Sequence, residues 1–189
     1  MAGSVVHDRE PDPESVARAI ALRLLTIAPR SRAQLAEAMA RREVPDDVAS
    51  AVLDRFADVG LVDDAEYARM LVRSRHDDRG LARRALGEEL RRKGIAAELA
   101  AAALAELDPE SERATAERLV ARKLASTRGL DTQVRVRRTL AALGRKGYPP
   151  GIVMEVVREY LASEQGAHEV ESIPTPFDAG HDQDAISGP

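Results

Sequence analysis

Apolar side chains recur along this 189-residue chain at spacings of three, four and seven residues, which is the period of an amphipathic α-helix. Three stretches carry the pattern, 31–56, 82–107 and 135–160, and they align without a gap at offsets of 51 and 53 residues. The positions that fall together are Leu35, Leu86 and Thr139; Met39, Leu90 and Leu143; Val48, Leu99 and Ile152; Leu53, Leu104 and Val157; and Phe56, Leu107 and Tyr160. Each stretch therefore predicts a pair of helices whose apolar sides turn inward.

A further apolar run precedes each pair, which makes the repeated unit three helices long. We therefore predict an all-α protein of three tandem three-helix repeats, each resembling a helix-turn-helix, at residues 13–62, 63–109 and 110–161. Since one short repeat has little core of its own, the repeats are expected to share apolar surface and to form an elongated, curved rod. The flanking segments 1–12 and 162–189 have little periodicity, so we expect a disordered N terminus and a disordered acidic tail.

Helix ends are marked by residues that favour caps. The sequences "RRKG" (91–94) and "GRKG" (144–147) each place cations in a last turn and a glycine after it. Pro149 and Pro150 then open the last helix, and Gly60 ends the first repeat. The predicted helix boundaries therefore agree with the apolar periods.

The two aspartates before the second repeat are interpreted as capping residues rather than as a catalytic pair. An N-cap at Asp63 places Glu66 at the third helical position, where its side chain can reach back to the cap. Further along the chain, the pair Asp77 and Asp78 stands beside His76, with no residue in the sequence to position it for catalysis. We expect this cluster to lie in a solvated, glycine-containing loop.

Composition limits the chemistry that this chain can perform. It has no Cys, which excludes disulfides and thiolate metal sites, and its four His are far apart in sequence. Nothing matches a glycine-rich phosphate loop, an H-E-x-x-H motif or a positioned nucleophile, so we expect no catalysis, cofactor or metal. No apolar run approaches the roughly 20 residues of a membrane span, and no secretion signal opens the chain, which predicts a soluble cytoplasmic protein.

Charge is unevenly distributed, although the net charge is only −4. Residues 1–64 hold 8 Lys and Arg against 12 Asp and Glu, residues 65–148 hold 19 against 12, and residues 149–189 hold 1 against 8. The middle of the chain is therefore basic between acidic ends. Such a block suits a polyanion or an acidic protein surface, whereas a helix surface with internal ion pairs is the ordinary alternative.

The outward positions of the second helix are mostly cationic in the second and third repeats. Arg84, Glu88 and Arg92 are spaced for an ion-pair ladder, so a structural role and a binding role both remain open for them. Arg83 and Arg91 lack an acid one turn away, and the matching helix of the third repeat has no acid, which favours a binding face. Because these helices have almost no Asn or Gln, contacts to backbone phosphates or protein acids are favoured over base reading.

Three stretches together are similar to the bacterial RecX family of recombination regulators. They are "LVDDAEYARMLVRSR" (61–75), "LARRALGEELRRKGI" (81–95) and the more degenerate "LAALGRKGYPPGIVMEVVREYL" (140–161). The double aspartate, the arginine-bearing first helix and the ending L-x-x-K/R-G occur in one order at the repeat spacing. The resemblance covers residues 15 to 161.

What the resemblance implies is a non-catalytic regulator of homologous recombination and of the SOS response. Such a protein binds the RecA filament on DNA, lies along its helical groove, and inhibits RecA's ATP hydrolysis, strand exchange and filament growth. Its partners would be the RecA filament and, through backbone contacts, single- or double-stranded DNA, and it would act as a monomer in the cytoplasm. A helix-turn-helix transcription factor that acts without RecA, and a purely structural adaptor, remain as alternatives.

Twelve cations are the candidate contact residues for RecA or DNA. On the second repeat, the first-helix arginines are predicted to form one surface with three arginines of the second helix. The full set is Arg69, Arg73, Arg75, Arg83, Arg84, Arg91, Arg92, Lys93, Arg137, Arg138, Arg145 and Lys146.

Overall fold

The computed structural model describes residues 12–171, and for residues 165–171 it describes the backbone alone. Within this part of the chain, the regular structure consists of nine helices and no strand. They are α1 (Pro13–Ile27), α2 (Arg32–Ala40), α3 (Asp46–Asp58), α4 (Asp64–Arg79), α5 (Arg83–Arg92), α6 (Ala97–Ala105), α7 (Pro109–Ala125), α8 (Thr132–Arg145) and α9 (Pro150–Glu171). The predicted all-α fold is confirmed.

The helices pack in three groups of three, which we call unit 1 (α1–α3), unit 2 (α4–α6) and unit 3 (α7–α9). Each unit has its own apolar core. The aligned positions Leu35, Leu86 and Thr139 are each fully buried, so the repeat alignment has the correct helical phase. The aligned set of Val48, Leu99 and Ile152 lies at the rim of the cores. In unit 3, Ile152 is 41% exposed, whereas the adjacent Val153 is fully buried.

The three cores remain largely separate, in contrast to the predicted sharing of apolar surface. Ala82, from the loop before α5, is the residue of unit 2 that joins the core of unit 3. Among the described residues, hydrogen bonds and ion pairs link unit 1 to unit 2 and unit 2 to unit 3, but none links unit 1 to unit 3. Unit 2 therefore lies between the other two, and hydrogen bonds cross both junctions.

Asp63 is the N-cap of α4, as predicted, and its Oδ1 accepts a hydrogen bond from the backbone N–H of Glu66 at 2.9 Å. The Glu66 side chain does not reach back to the cap. It accepts hydrogen bonds from Arg69 and Arg73 instead, at 2.9 and 3.1 Å. The prediction of capping is therefore confirmed for Asp63 and wrong for the Glu66 side chain.

The prediction of a solvated loop around His76 is wrong. Helix α4 continues to Arg79 and ends at Gly80, whose φ of 61° suits a left-handed cap, so the whole cluster is helical. His76 is only 4% exposed, with Nδ1 3.0 Å from the carbonyl oxygen of Leu81 and Nε2 3.3 Å from Oγ1 of Thr115 in unit 3. Because a carbonyl only accepts, Nδ1 donates the hydrogen bond to Leu81, while Nε2 lies within hydrogen-bond distance of the Thr115 hydroxyl.

Helix α9 continues to Glu171, beyond the predicted start of the tail at residue 162. Part of the reason is Glu164, which accepts a hydrogen bond from buried Arg135 at 3.0 Å and pairs with Arg128 at 3.5 Å. Burial raises the pKa of Glu164, but hydrogen bonds and charge from Arg135 and Arg128 more than offset this effect, so the pKa lies below its ordinary value. The predicted disorder of residues 1–11 and 172–189 lies outside the described residues.

Candidate contact surface

The junction between units 1 and 2, the first joint, is formed by neutral side chains and one carboxylate. Ser31, the N-cap of α2, donates its hydroxyl to the carbonyl oxygen of Lys93 at 2.5 Å. Asp64 accepts from the backbone N–H of Arg32, the first residue of α2, at 2.8 Å. The second aspartate of the pair therefore satisfies a free N–H group of a helix in the neighbouring unit.

The junction between units 2 and 3, the second joint, repeats this arrangement with charged groups. The backbone N–H of Ala82, the N-cap of α5, donates to the carbonyl oxygen of Lys146 at 2.8 Å. Glu112 accepts from the backbone N–H of Arg83 at 2.9 Å and from its Nε at 3.0 Å. The guanidinium of Arg83 also donates to the carbonyl oxygen of Leu107. Arg83 is thus a structural residue of the second joint.

The Lys–Gly turns that end α5 and α8 contact the preceding unit at these joints. Gly94 and Gly147 have φ values of 74° and 94°, in the left-handed region. A Cβ on Gly94 would lie 2.3 Å from Cβ of Ala33, and one on Gly147 would lie 2.6 Å from the backbone nitrogen of Ala85. Glycine is therefore required at both positions for two reasons, the backbone conformation and the close approach of the neighbouring unit.

Several of the predicted contact cations are paired inside the protein. Arg69 and Arg73 share Glu66, and their hydrogen bonds, that of Arg69 first, lower the pKa of Glu66. Arg75 of α4 donates to Glu89 of α5 at 2.9 Å, and this hydrogen bond raises the pKa of Arg75. A partner would have to compete with these acids for the same guanidinium groups.

The remaining predicted cations form fewer ion pairs and hydrogen bonds within the protein. Arg84 donates to the carbonyl oxygen of Gly144 at 3.0 Å and has Glu88 at 3.7 Å, yet it stays exposed. Seven others have no ion pair in the described part of the chain: Arg91, Arg92, Lys93, Arg137, Arg138, Arg145 and Lys146. Of these seven, all but Lys93 and Lys146 are exposed.

The predicted single surface is divided between two grooves. Arg83, Arg84 and Arg91 line a groove of about 670 Å³ between α5 and α6, the unit 2 groove. Its floor consists of small and apolar residues: Gly87, Ile95, Ala97, Ala100, Ala101 and Leu104. Arg69 and Arg73 line a different groove beside α6, together with Ala103, Leu107 and Glu106. The structure therefore brings the three α5 arginines together in a groove that Arg69 and Arg73 do not line, while Arg75 contacts α5 through Glu89.

Sequence reasoning missed the residues that join the units. Asp64 and Glu112 each cap a helix of the preceding unit, and no local signal marks a carboxylate whose partner is about thirty residues away. It also passed over Arg118, Arg122 and Lys123 of α7, which lie beside Lys146 near the second joint. The available signal was the lack of acids between residues 118 and 130.

Among the side chains that the structure describes, those of residues 12–164, no three acidic or His side chains are grouped as a metal site would require. No helix in this range is long and apolar enough to cross a membrane.

Comparison with known proteins identifies the family to which the three units belong. Models of the first, second and third three-helix domains of RecX match residues 17–56, 63–104 and 110–157, so each matched range lies within one unit. A regulatory protein RecX of Thermobifida fusca is 57% identical over 148 residues, which cover 78% of this chain and 80% of that protein. The chain belongs to the RecX family. A regulatory protein RecX of Streptomyces coelicolor is 54% identical over 153 residues, 81% of each chain.

Solved structures support the family fold at greater distance. The crystal structure of RecX from Lactobacillus salivarius superposes on this RecX-family chain with a TM-score of 0.71, covering 78% of this chain and 96% of that one. The two sequences are 20% identical, so this likeness concerns the fold alone.

Proposed function

We propose that this RecX-family chain is a non-catalytic regulator that binds the RecA filament on DNA and inhibits RecA's ATP hydrolysis, strand exchange and filament growth. The observation that carries the proposal is the match of all three units, in order, to the three RecX domains. In this proposal the chain acts as a monomer in the cytoplasm, in homologous recombination and the SOS response.

The in-line order of the units supports this proposal. A filament presents the same surface at regular intervals, and a chain of similar units held by similar joints can contact successive subunits. Because both joints use the same Lys–Gly turn and a capping carboxylate, units 2 and 3 present their second helices, α5 and α8, in comparable settings.

We assign the filament contact to exposed cations that lack internal partners. Among them are Arg91 on α5, which lines the unit 2 groove together with Arg84, and Arg137 on α8. A cation that forms no ion pair within the protein gains more from a partner's carboxylate, whereas a paired cation must first lose its own acid. The apolar floor between Arg84 and Arg91 adds area that a protein side chain can bury, which favours a protein partner at this groove.

Arg83 is a poor probe of this contact, although it lines the same groove. Its backbone and side chain bind Glu112, so replacing it would disturb the second joint as well as the groove. Loss of RecA inhibition in an Arg83 variant would therefore not distinguish binding from folding.

The test is RecA's ATP hydrolysis on single-stranded DNA, followed by phosphate release, with the chain added below the RecA concentration. Inhibition at substoichiometric amounts is expected, since a regulator that acts along or at the end of a filament affects many subunits. Unchanged hydrolysis at equimolar chain would overturn the proposal. A sequence-specific footprint on duplex DNA in the absence of RecA would instead favour a helix-turn-helix transcription factor.

A further inference from the structure

The segment from Arg118 to Tyr148 is strongly basic and spans the second half of α7 and all of α8. It contains nine Lys and Arg residues and a single acid, Asp131. That acid caps α8, because its Oδ1 accepts from the backbone N–H groups of Gln133 at 2.8 Å and Val134 at 3.3 Å. The only carboxylate of the segment is therefore already engaged at a helix end.

A groove of about 330 Å³, the unit 3 groove, lies between α7 and α8. Its floor is apolar and is formed by Leu119, Ala142 and Leu143. Three cations also line it: Arg122, Lys123 and Lys146. No acid lines the groove, and none of its cations forms an ion pair with another described residue. The groove therefore suits a ligand that combines negative charge with an apolar side chain.

Lys146 experiences the repulsion among these like charges. Its ammonium group donates to the carbonyl oxygen of Arg79. Burial lowers the pKa of Lys146, and the nearby charges of Arg122 and Arg79 lower it further. A carboxylate in the groove would relieve this repulsion.

Helix α9 carries the chain towards one end of this groove. Arg113, near the start of α7, pairs with Glu159 of α9 at 2.9 Å. Arg128, just after the end of α7, pairs with Glu164 at 3.5 Å. Helix α9 therefore runs in the same direction as α7 and leaves unit 3 at the end where Lys123 lines the groove.

The sequence that follows α9 is complementary to the groove. Residues 172–189, the distal tail, contain no Lys or Arg, and their acids follow a single aromatic residue, Phe177. The acids are Asp178, Asp182 and Asp184. Residues 172–184 can span roughly 40 Å when extended, whereas the α7 side of the groove, from Leu119 to Ser126, is about 10 Å long. The distal tail is therefore long enough to pass around the end of unit 3 and to lie along the groove.

We propose that the distal tail docks in the unit 3 groove of the same molecule, with the Phe177 ring on the apolar floor and the aspartates beside the cations. The docked segment covers these cations, so that an anionic partner has to displace it before it can contact them. This inference concerns the chain by itself and does not rest on the proposed regulation of RecA.

The covalent link favours the distal tail over a free ligand of the same chemistry. A segment joined to its site by a short flexible linker is present at an effective concentration on the order of millimolar. Exposed ion pairs and one apolar ring, each weak alone, can hold the segment at such a concentration. Because salt screens exposed ion pairs, docking should weaken as the ionic strength rises.

The chain has no Trp, so Phe177→Trp places a single fluorescent reporter at the proposed contact. In the full chain at low salt, the Trp should emit at shorter wavelength, and acrylamide should quench it less, than in a free peptide of residues 172–189 with the same substitution. Raising the salt to about 1 M, where the Debye length is about 3 Å, should move both values towards those of the peptide.

Variants of the reporter chain test each side of the contact. Arg122→Gln/Lys123→Gln should lower the ratio of docked to released molecules about fivefold, because two exposed ion pairs are lost. Asp178→Asn/Asp182→Asn/Asp184→Asn should release the Trp at least as strongly. Combining both sets should release it no further than the tail set alone, since both sets remove the same pairs.

Two control variants carry equal changes of charge elsewhere. Arg23→Gln/Arg42→Gln alters exposed cations of unit 1, and Arg84→Gln/Arg91→Gln alters the unit 2 groove. Both should leave the fluorescence of the reporter unchanged. Circular dichroism should show the same helix content in every variant, which separates release of the segment from unfolding.

Three outcomes would overturn the proposal. Quenching equal to that of the free peptide at low salt would leave the groove open to an external partner. Release by the unit 2 groove variant, but not by the unit 3 groove variant, would place the segment in the wrong groove. Quenching that decreases as the protein concentration rises would place it on a second copy of the chain.

Discussion

The two joints share a backbone arrangement but differ in charge. At the first joint, the Lys–Gly turn of unit 2 meets the start of α2, and Asp64 of unit 2 caps α2. At the second joint, the Lys–Gly turn of unit 3 meets the start of α5, and Glu112 of unit 3 caps α5. At the first joint, the hydrogen bonds between the units involve neutral groups and the Asp64 carboxylate, and they include the bond of 3.2 Å from Tyr67 to Gln34. Around the second, Arg83, Glu112 and Lys146 are charged.

This difference distinguishes the residues that hold the units together from the cations that are available to a partner. The first joint holds two units with the same turn and the same type of cap, and no ion pair links the described residues of these units. The architecture therefore does not require the cations that gather at the second joint. At the second joint, Arg83 forms an ion pair with Glu112, whereas Arg118 and Arg122 form no ion pair with an acid in the described part of the chain. We therefore assign the glycines and capping acids to the fold, and the unpaired cations to a partner.

The largest effect is expected from adding a methyl group at the glycines of the joints. Gly94→Ala and Gly147→Ala should each lower the free energy of unfolding by about 2–4 kcal/mol, since a left-handed conformation and a clash with the neighbouring unit both oppose Cβ. Gly60→Ala is the control, with a φ of 71° but nothing within 4 Å, and should cost about 1 kcal/mol. Urea unfolding followed by circular dichroism measures all three, and equal losses would refute a close contact at the joints.

A smaller effect is expected from removing the capping carboxylates, and it should differ between the joints. Asp64→Ala removes one cap and should lower stability by about 1 kcal/mol. Glu112→Ala removes a cap and the partly exposed ion pair with Arg83, so about 2 kcal/mol is expected.

Glu110→Ala is the matched control for the capping variants, because Glu110 is an exposed acid of the same first turn with no side-chain hydrogen bond in the described part of the chain. It should change the midpoint of thermal unfolding by little. If Glu112→Ala behaved like Glu110→Ala, the capping role of Glu112 would be excluded.

Much of the fold was predictable because it depends on local signals. The helical period located the core positions, as shown by the full burial of Leu35 and Leu86, and glycine after a cationic turn located the ends of α5 and α8. The separation of the three cores was not predictable, since periodicity shows which side of a helix is buried but not against which helix it packs.

The candidate surface was predictable only in part, because a cation's role depends on its three-dimensional neighbours. Arg83 has no acid within one turn of its own helix, which favoured a binding role, yet its partner Glu112 lies on α7 in the next unit. Arg75 similarly pairs with Glu89 across two helices. The absence of acids from α8 was a better guide, since Arg137 and Arg138 are exposed without an ion pair among the described residues.

The most direct test compares RecA inhibition by the parent chain with that by Arg91→Gln/Arg137→Gln, a variant that leaves the hydrogen bonds of both joints intact. RecA's ATP hydrolysis on single-stranded DNA is measured as the chain is titrated, with Arg23→Gln/Arg42→Gln as the control of equal charge. We expect that about tenfold more of the double variant is required for half-maximal inhibition, with an unchanged thermal midpoint, while the control matches the parent. Inhibition by the double variant at the parent's concentration would contradict the assignment of the unpaired cations to the RecA filament.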